Sequence, residues 1–210
     1  MPSKQATYRV MIAAGGTGGH VYPAISIADA LTAKMEHIDI AFVGTKNHME
    51  WTAVPKAGYR IYPIWVSGLQ RRFTLSNLLF PLKLIVSLVQ SFWLLHRLKP
   101  AVMVSCGGYV AGPVGWMASR FGIPVMIQEQ NSYPGVTNRM LGSSAKRIFT
   151  AFPDAEDYFP VHNVRMVGNP TRKNLVHTNP SKARASFNIS EDRSVLLVLG
   201  GSLGAKSINE

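Results

Sequence analysis

Three glycine-rich loops constrain the fold of this chain most strongly, because each directly follows a short apolar run and directly precedes a helix-length segment. Loop one is residues 15–20 (GGTGGH), loop two is residues 107–113 (GGYVAGP) and loop three is residues 200–204 (GGSLG). Glycine permits positive φ and close backbone approach, and a helix N-terminus presents free N–H groups to an anion. Since open α/β sheets bind ligands at the carboxyl ends of their strands, the loops predict ligand sites. A tight turn without a ligand is the alternative for any single loop.

The segments between the loops alternate between strand-like and helix-like patterns. The pattern predicts strands over residues 8–14, 38–43, 60–66, 101–105, 124–128, 147–151, 164–167 and 194–199. It predicts helices over residues 23–35, 47–57, 75–98 and 110–121. Continuous apolar strands that alternate with helices indicate an α/β fold, a Rossmann-like parallel sheet with helices on both faces.

A polar segment, residues 171–192, separates two parts of the chain. Residues 6–170 predict a first Rossmann-like domain. The apolar run 194–199 and loop three predict that residues 171–210 begin a second, similar domain. Because one strand cannot form a stable sheet, we expect this second domain to be truncated at residue 210.

Charge and composition narrow the classes of partner. The net charge is +11, which favours an anionic partner such as a phosphate-bearing ligand, an acidic membrane surface or nucleic acid. No nucleic-acid motif is present and the basic residues form no aromatic-laced stripe, so we do not expect nucleic-acid binding. The single cysteine, Cys106, excludes an internal disulfide and a cysteine-cluster metal site. No two aspartates stand two positions apart, so we expect no bound metal.

The loops also depart from two common nucleotide motifs. Residues 16–21 (GTGGHV) lack the last glycine of G-x-G-x-x-G, and the predicted second strand ends without an acidic residue for a ribose. Residues 204–207 (GAKS) miss the Walker pattern by one position. NAD binding and ATP hydrolysis are therefore disfavoured, and no cofactor is expected.

Five motifs occur in one order: GGTGGHVYPA (15–24), CGGYVAGP (106–113), QEQN (128–131), GNPTR (168–172) and GGSLGA (200–205). Together they closely resemble the MurG family of bacterial peptidoglycan N-acetylglucosaminyltransferases, within glycosyltransferase family 28. The resemblance implies a two-domain GT-B fold and inverting transfer of N-acetylglucosamine from UDP-N-acetylglucosamine, the donor. The acceptor would be the 4-hydroxyl of the muramyl sugar in lipid I (undecaprenyl-pyrophosphoryl-MurNAc-pentapeptide), and the product lipid II.

The resemblance further implies a peripheral enzyme at the cytoplasmic face of the bacterial cell membrane, acting in cell-wall biogenesis, cell shape and cell division. Family members hold the nucleotide in the C-terminal domain. We therefore expect this chain to be inactive without the rest of that domain.

The same resemblance assigns roles to individual residues. His20, whose imidazole titrates near neutral pH, would be the general base, with a cationic phosphate contact or a plain helix-start histidine as alternatives. Glu129 would orient the base or bind the acceptor, with a structural carboxylate as the alternative. The residues implied to contact the donor are Thr17, Gly18, Gly19, Asn131, Arg172 and Ser202. The residues assigned to the acceptor are Gly107, Gly108 and Tyr109, with a packing role as the alternative for Tyr109.

A membrane contact is predicted near the apolar segment 78–98. This segment is nearly long enough to span a bilayer, but polar and proline residues interrupt it, so a partly buried helix that touches lipid is favoured. The residues predicted to meet an anionic membrane surface are Arg71, Arg72, Phe73, Leu75, Leu79 and Phe80. An ordinary buried helix with a solvated basic end is the alternative.

Two rival functions stay open at this point. One is another UDP-sugar enzyme on the same scaffold, such as a glycosyltransferase for a different glycolipid or a UDP-sugar epimerase. The other is a non-catalytic lipid-binding half that needs a partner chain.

Overall fold

The computed structural model describes residues 7–68, 78–159, 163–172 and 179–198. The chain divides into two compact units, Met1–Pro170 and Thr171–Glu210. Loop three with Ser202, and the predicted membrane residues Arg71, Arg72, Phe73 and Leu75, lie outside the described residues.

The first unit is built on one parallel sheet. Its strands are β1 (Tyr8–Ala13), β2 (Ile38–Gly44), β3 (Arg60–Pro63), β4 (Val102–Ser105), β5 (Val125–Glu129), β6 (Arg147–Thr150) and β7 (Val164–Met166). They lie in the order β3-β2-β1-β4-β5-β6-β7, and every pairing is parallel. The direction of winding reverses between β1 and β4, which is where doubly wound sheets bind ligands. The predicted Rossmann-like α/β fold is confirmed.

Helices cover both faces of the sheet. Among the described residues of the first unit, the helices are α1 (Gly18–Lys34), α2 (Glu50–Lys56), α3 (Phe80–Leu98), α4 (Ala111–Arg120), α5 (Val136–Gly142) and a 3₁₀ helix, Pro153–Tyr158. Alternate residues of β1 enter opposite cores, as strand geometry requires. Val10 and Ile12 pack in a cluster with residues of α1, whereas Met11 and Ala13 pack in a cluster with residues of α3 and α4.

Helix α1 begins five positions earlier than the predicted Pro23. Thr17 is extended, and its carbonyl accepts the N–H groups of His20 and Val21 at 3.1 Å each. The last glycines of loop one and His20 therefore form the first helical turn. By contrast, α3 ends where predicted: Lys99 is its left-handed cap and Pro100 follows.

The strand predicted over residues 194–199 is wrong for 194–198, which have no regular structure. Leu196 in that run is 90% exposed. A strand needs a neighbour to satisfy its backbone N–H and C=O groups, and the described residues of the second unit supply none. The regular element described there is instead a helix, α6 (Pro180–Ser186), which the sequence analysis did not predict. Its signal was the cap: the Asn179 side chain accepts the N–H groups of Ser181 and Lys182.

Helix α3 contains most of the apolar segment that is nearly long enough to span a bilayer. Within the described residues, no helix is long and apolar enough to cross a bilayer.

Candidate functional site

Loops one and two meet at the carboxyl ends of the neighbouring strands β1 and β4. Gly108 has a φ of +81°, and a Cβ there would overlap the carbonyl oxygen of Gly15. Gly107 has a φ of +92°, and a Cβ there would lie 2.8 Å from Cδ2 of His20. Only glycine permits both the backbone angle and the approach at these two positions. The structure thus brings predicted donor-side and acceptor-side residues into one site.

His20 lies in the first turn of α1 with its ring directed between the loops. Its Nδ1 is 3.2 Å from the carbonyl oxygen of Gly15 and 3.3 Å from Oγ1 of Thr17. A carbonyl oxygen only accepts hydrogen bonds, so the proton of the neutral ring belongs on Nδ1 and the lone pair on Nε2. Burial lowers the pKa of His20 below 6.5, although Glu129, the Gly15 carbonyl and Glu50 act to raise it. At neutral pH the ring is therefore uncharged and able to accept a proton.

Glu129 is buried at the end of β5, with both carboxylate oxygens engaged. Its Oε1 accepts the backbone N–H of Asn131 at 3.0 Å and the side-chain Nδ2–H of Asn131 at 2.9 Å. Its Oε2 accepts the backbone N–H of Gly135 at 3.2 Å and the Nδ2–H of Asn138 at 2.9 Å. These contacts fix the loop after β5 and hold Asn131 at the surface. The catalytic role of Glu129 stays a prediction.

Asn138 is a site residue that the sequence analysis missed. It lies on α5, is buried, and its Oδ1 accepts the hydroxyl of Ser105 at 2.7 Å while its Nδ2 donates to Glu129. A Cβ at Gly107 would lie 3.6 Å from that Nδ2. Asn138 therefore ties the ends of β4 and β5 together beneath loop two. An asparagine inside an unpredicted helix offered no sequence signal.

Glu50 was missed as well. It begins α2, is fully buried, and its Oε1 accepts the N–H of Thr45 at 3.1 Å and the hydroxyl of Thr45 at 2.6 Å. Its Oε2 accepts the N–H of Gly16 at 3.2 Å. The carboxylate thus joins the end of β2 to loop one. An acidic residue in a first helical turn is commonplace, so the sequence alone does not single it out.

The remaining predicted residues of the first unit belong to loops one and two themselves. Gly18 and Gly19 form the start of α1, where free N–H groups suit an anion, and Thr17 is half-buried before them. Tyr109 is 57% exposed and its ring lies directly against Gly68, where a Cβ would overlap the ring.

Two of the predicted donor contacts, Arg172 and Ser202, belong to the second unit. Arg172 is exposed in that unit, and Ser202 lies outside the described residues, so both roles stay predictions. In the described part of the chain, no cluster of three His, Cys, Asp or Glu side chains could hold a metal ion.

Helix α3 presents a row of large apolar side chains to solvent. This row, the α3 patch, consists of Leu82, Ile85, Val89, Phe92 and Trp93. Their spacing of three or four places them on one helical face. Of the predicted membrane residues, Leu79 is exposed beside the patch and Phe80 is half-buried.

Comparison with known proteins gives the family. The profile of the glycosyltransferase family 28 N-terminal domain matches residues 10–150. A relative from Salinibacter ruber, "UDP-N-acetylglucosamine--N-acetylmuramyl-(pentapeptide) pyrophosphoryl-undecaprenol N-acetylglucosamine transferase", is 51% identical over 95% of this chain and 54% of its own length. A relative of the same name from Flavobacterium psychrophilum is 43% identical over 97% of this chain and 56% of its own length. The chain thus spans about half the length of the curated relatives it matches.

Solved structures agree with the fold. MurG of Acinetobacter baumannii superposes with a TM-score of 0.65 at 30% identity, over 81% of this chain and 47% of that one. The UDP-N-acetylglucosamine 2-epimerase of Neisseria meningitidis superposes with a TM-score of 0.60 at 15% identity, over 89% of this chain and 56% of that one. At 15% identity, the similarity to the epimerase shows the fold alone.

Proposed function

The chain belongs to glycosyltransferase family 28, and from this premise we propose that it forms the acceptor-side half of a peptidoglycan N-acetylglucosaminyltransferase. The complete enzyme would transfer N-acetylglucosamine from UDP-N-acetylglucosamine to the 4-hydroxyl of MurNAc in lipid I, giving lipid II. The observation that carries the proposal is the meeting of loops one and two around His20, whose Nε2 holds the lone pair of the neutral ring in the first turn of α1.

In the proposed reaction, His20 acts as the general base. The acceptor 4-hydroxyl oxygen attacks C1 of the donor sugar and forms the new glycosidic bond as His20 Nε2 takes the hydroxyl proton. The bond between C1 and the UDP phosphate oxygen breaks, and UDP leaves with the electron pair. Attack opposite the leaving group inverts the configuration at C1.

The other side chains position the substrates. Asn131, held by Glu129, offers an amide that both donates to and accepts from sugar hydroxyls. We assign donor contacts to Thr17, Gly18 and Gly19 in loop one, and acceptor contacts to Gly107, Gly108 and Tyr109. Arg172 and Ser202 would stabilise the departing pyrophosphate, a role that suits a guanidinium and a hydroxyl.

We also propose that the chain works at an anionic membrane surface, peripherally and on the cytoplasmic face where its lipid-linked acceptor would be presented. The α3 patch supports this: Ile85 and Trp93 are among its most exposed members, and the chain carries a net charge of +11. Apolar side chains combined with basic charge suit insertion between anionic headgroups. The prediction of membrane contact for Arg71, Arg72, Phe73, Leu75, Leu79 and Phe80 is part of this proposal.

The function is tested with a fusion in which the remainder of the Salinibacter ruber relative follows Glu210. We expect this fusion to transfer labelled N-acetylglucosamine from UDP-N-acetylglucosamine to a lipid I analogue. His20→Ala should lower kcat by at least about a hundredfold, the usual contribution of a general base. His37→Ala, an exposed histidine before β2, is the matched control and should leave kcat unchanged.

A fusion that binds the donor but makes no product would contradict the proposed acceptor. Full activity in His20→Ala would remove the base from the mechanism while leaving the transferase assignment in place.

A further inference from the structure

We propose that Glu50 is a positioning residue for His20, acting through the peptide group that joins Gly15 to Gly16. The inference deepens the proposed function and rests on it, because it assigns a partner to the proposed base. Neither the motif resemblance nor the family match points to Glu50.

The two hydrogen bonds that carry the inference involve opposite ends of one peptide group. The N–H of Gly16 donates to Glu50 Oε2 at 3.2 Å. The carbonyl of Gly15 accepts from His20 Nδ1 at 3.2 Å. Because a peptide group is planar and rigid, the carboxylate that fixes its N–H also fixes the direction of its C=O. A chain of hydrogen bonds polarises its members, so the carboxylate also strengthens the acceptor that His20 uses.

The pocket around Glu50 is shaped for a carboxylate. A Cβ at Gly15 would lie 2.7 Å from Oε1 of Glu50, and a Cβ at Gly44 would lie 2.7 Å from its Cγ. Thr45 supplies both its N–H and its hydroxyl to Oε1. Glycines on both sides thus make the room, and donors from two elements hold the group in one orientation.

Burying the Glu50 carboxylate costs free energy of folding, because the group leaves water. The side chain is fully buried, and none of the ion pairs formed among the described residues involves it. A buried carboxylate without a cation loses its hydration and is stabilised here by three neutral donors. A role in orienting the histidine explains why a charged group occupies this position.

Two carboxylates act on His20. Burial lowers the pKa of His20 and prevails, whereas Glu129 and, more weakly, Glu50 act to raise it. Thr17 Oγ1 and the Gly15 carbonyl contact the Nδ1 of His20. Removing the charge of Glu50 should therefore lower the His20 pKa further, so that the ring takes up its second proton at a lower pH.

The test uses the 210-residue chain labelled with ¹⁵N at histidine and at backbone amides. In the unaltered chain we expect the Nδ1–H tautomer of His20 to prevail by about tenfold, the effect of one hydrogen bond of ordinary strength. We also expect the amide signals of Gly16 and Thr45 to titrate with the midpoint of His20, because Glu50 connects them. Neither measurement needs a substitution, so both test the link between Glu50 and His20 even if a variant fails to fold.

Glu50→Gln is the variant, and Asp39→Asn is its matched control. Asp39 is a carboxylate on β2 that pairs with Arg9 and Arg60 and has no contact with His20. We expect Glu50→Gln to lower the titration midpoint of His20 and to reduce the excess of the Nδ1–H tautomer, while Asp39→Asn changes neither. Any one of three results would overturn the inference. The Nε2–H tautomer could dominate, the amide signals of Gly16 and Thr45 could stay constant while His20 titrates, or the two variants could have equal effects.

Activity of the fusion separates this inference from the proposed function. If both hold, Glu50→Gln lowers kcat by about tenfold, the lower limit for removing the hydrogen-bond partner of a metal-binding histidine, with the KM for UDP-N-acetylglucosamine unchanged. The acid limb of its pH–rate profile should move to lower pH. If the fusion transfers no sugar while the NMR results stand, the proposed function fails and the linkage of Glu50 to His20 survives.

Discussion

At the scale of single residues, the site depends on buried polar groups that pair with one another. Asn138 is the clearest case, because it satisfies Ser105 and Glu129 at once. A buried polar group that loses its partner costs about 1–3 kcal/mol, more when it is charged. Asn138→Ala should therefore lower the free energy of unfolding by about 3 kcal/mol in urea titrations.

Asn163→Ala is the control for that measurement. Asn163 accepts a hydrogen bond from Arg147 at 2.6 Å, but on an exposed surface. Its loss should cost less than about 0.5 kcal/mol. Similar costs for the two substitutions would show that the Asn138 network contributes little.

Sequence patterns could identify some of these residues and not others. His20 and Asn131 belong to contiguous motifs, so a resemblance carries them directly. Glu50 and Asn138 lie on helices whose sequences look ordinary. Their importance arises from contacts with residues 34 positions away in one case and 33 in the other. Only the fold brings such partners together.

At the scale of elements, the crossing of loops one and two has a strict requirement for glycine. Gly108 and Gly122 both have positive φ, +81° and +70°, but a Cβ at Gly108 would overlap Gly15, whereas a Cβ at Gly122 would meet nothing within 4 Å. Gly122→Ala should cost only the backbone strain, about 1 kcal/mol. Gly108→Ala adds a backbone clash and should cost about 3 kcal/mol. Urea titrations of the two variants measure the difference, and equal values would mean that the loops separate easily.

The α3 patch makes a prediction about membranes. The double substitution Ile85→Glu and Trp93→Glu should reduce co-flotation of the chain with anionic vesicles by at least about tenfold, since each lost apolar contact is worth roughly 1.5–3 kcal/mol when buried. Added salt should weaken binding of the unaltered chain. Met166→Glu, at an exposed apolar residue on β7 at the end of the described sheet, should float normally. Normal flotation of the double variant would contradict a membrane role for the patch.

The limits of the strands agree with the sequence-based predictions better than those of the short helices do. The seven strands described in the first unit lie within about two residues of their predicted limits, apart from β3, which ends three residues early at Pro63. Apolar strands between helices have few alternative structures. The run 194–198 has a similar composition but no described neighbouring strand, and it remains irregular. Helix α5 was missed because it is only seven residues long and follows a turn rich in polar residues.

At the scale of the whole molecule, one topological fact organises the site. The winding of the sheet reverses between β1 and β4, and loops one and two follow those two strands. The alternation of strand and helix patterns in the sequence is sufficient to predict the fold class, and the two loop motifs predict which strand ends carry the candidate site. It is not sufficient to predict the hydrogen bonds that give His20 its tautomer.

Binding of a soluble lipid I analogue to the 210-residue chain tests the central claim most directly, because it needs no donor-binding half. We predict that the analogue shifts the NMR signals of loops one and two and of Asn131, and that Tyr109→Ala weakens its affinity. UDP-N-acetylglucosamine alone should bind more weakly than the analogue. If the analogue leaves the signals of loops one and two unchanged, because it binds elsewhere on the chain or does not bind, the assignment of this chain as the acceptor-side half is contradicted.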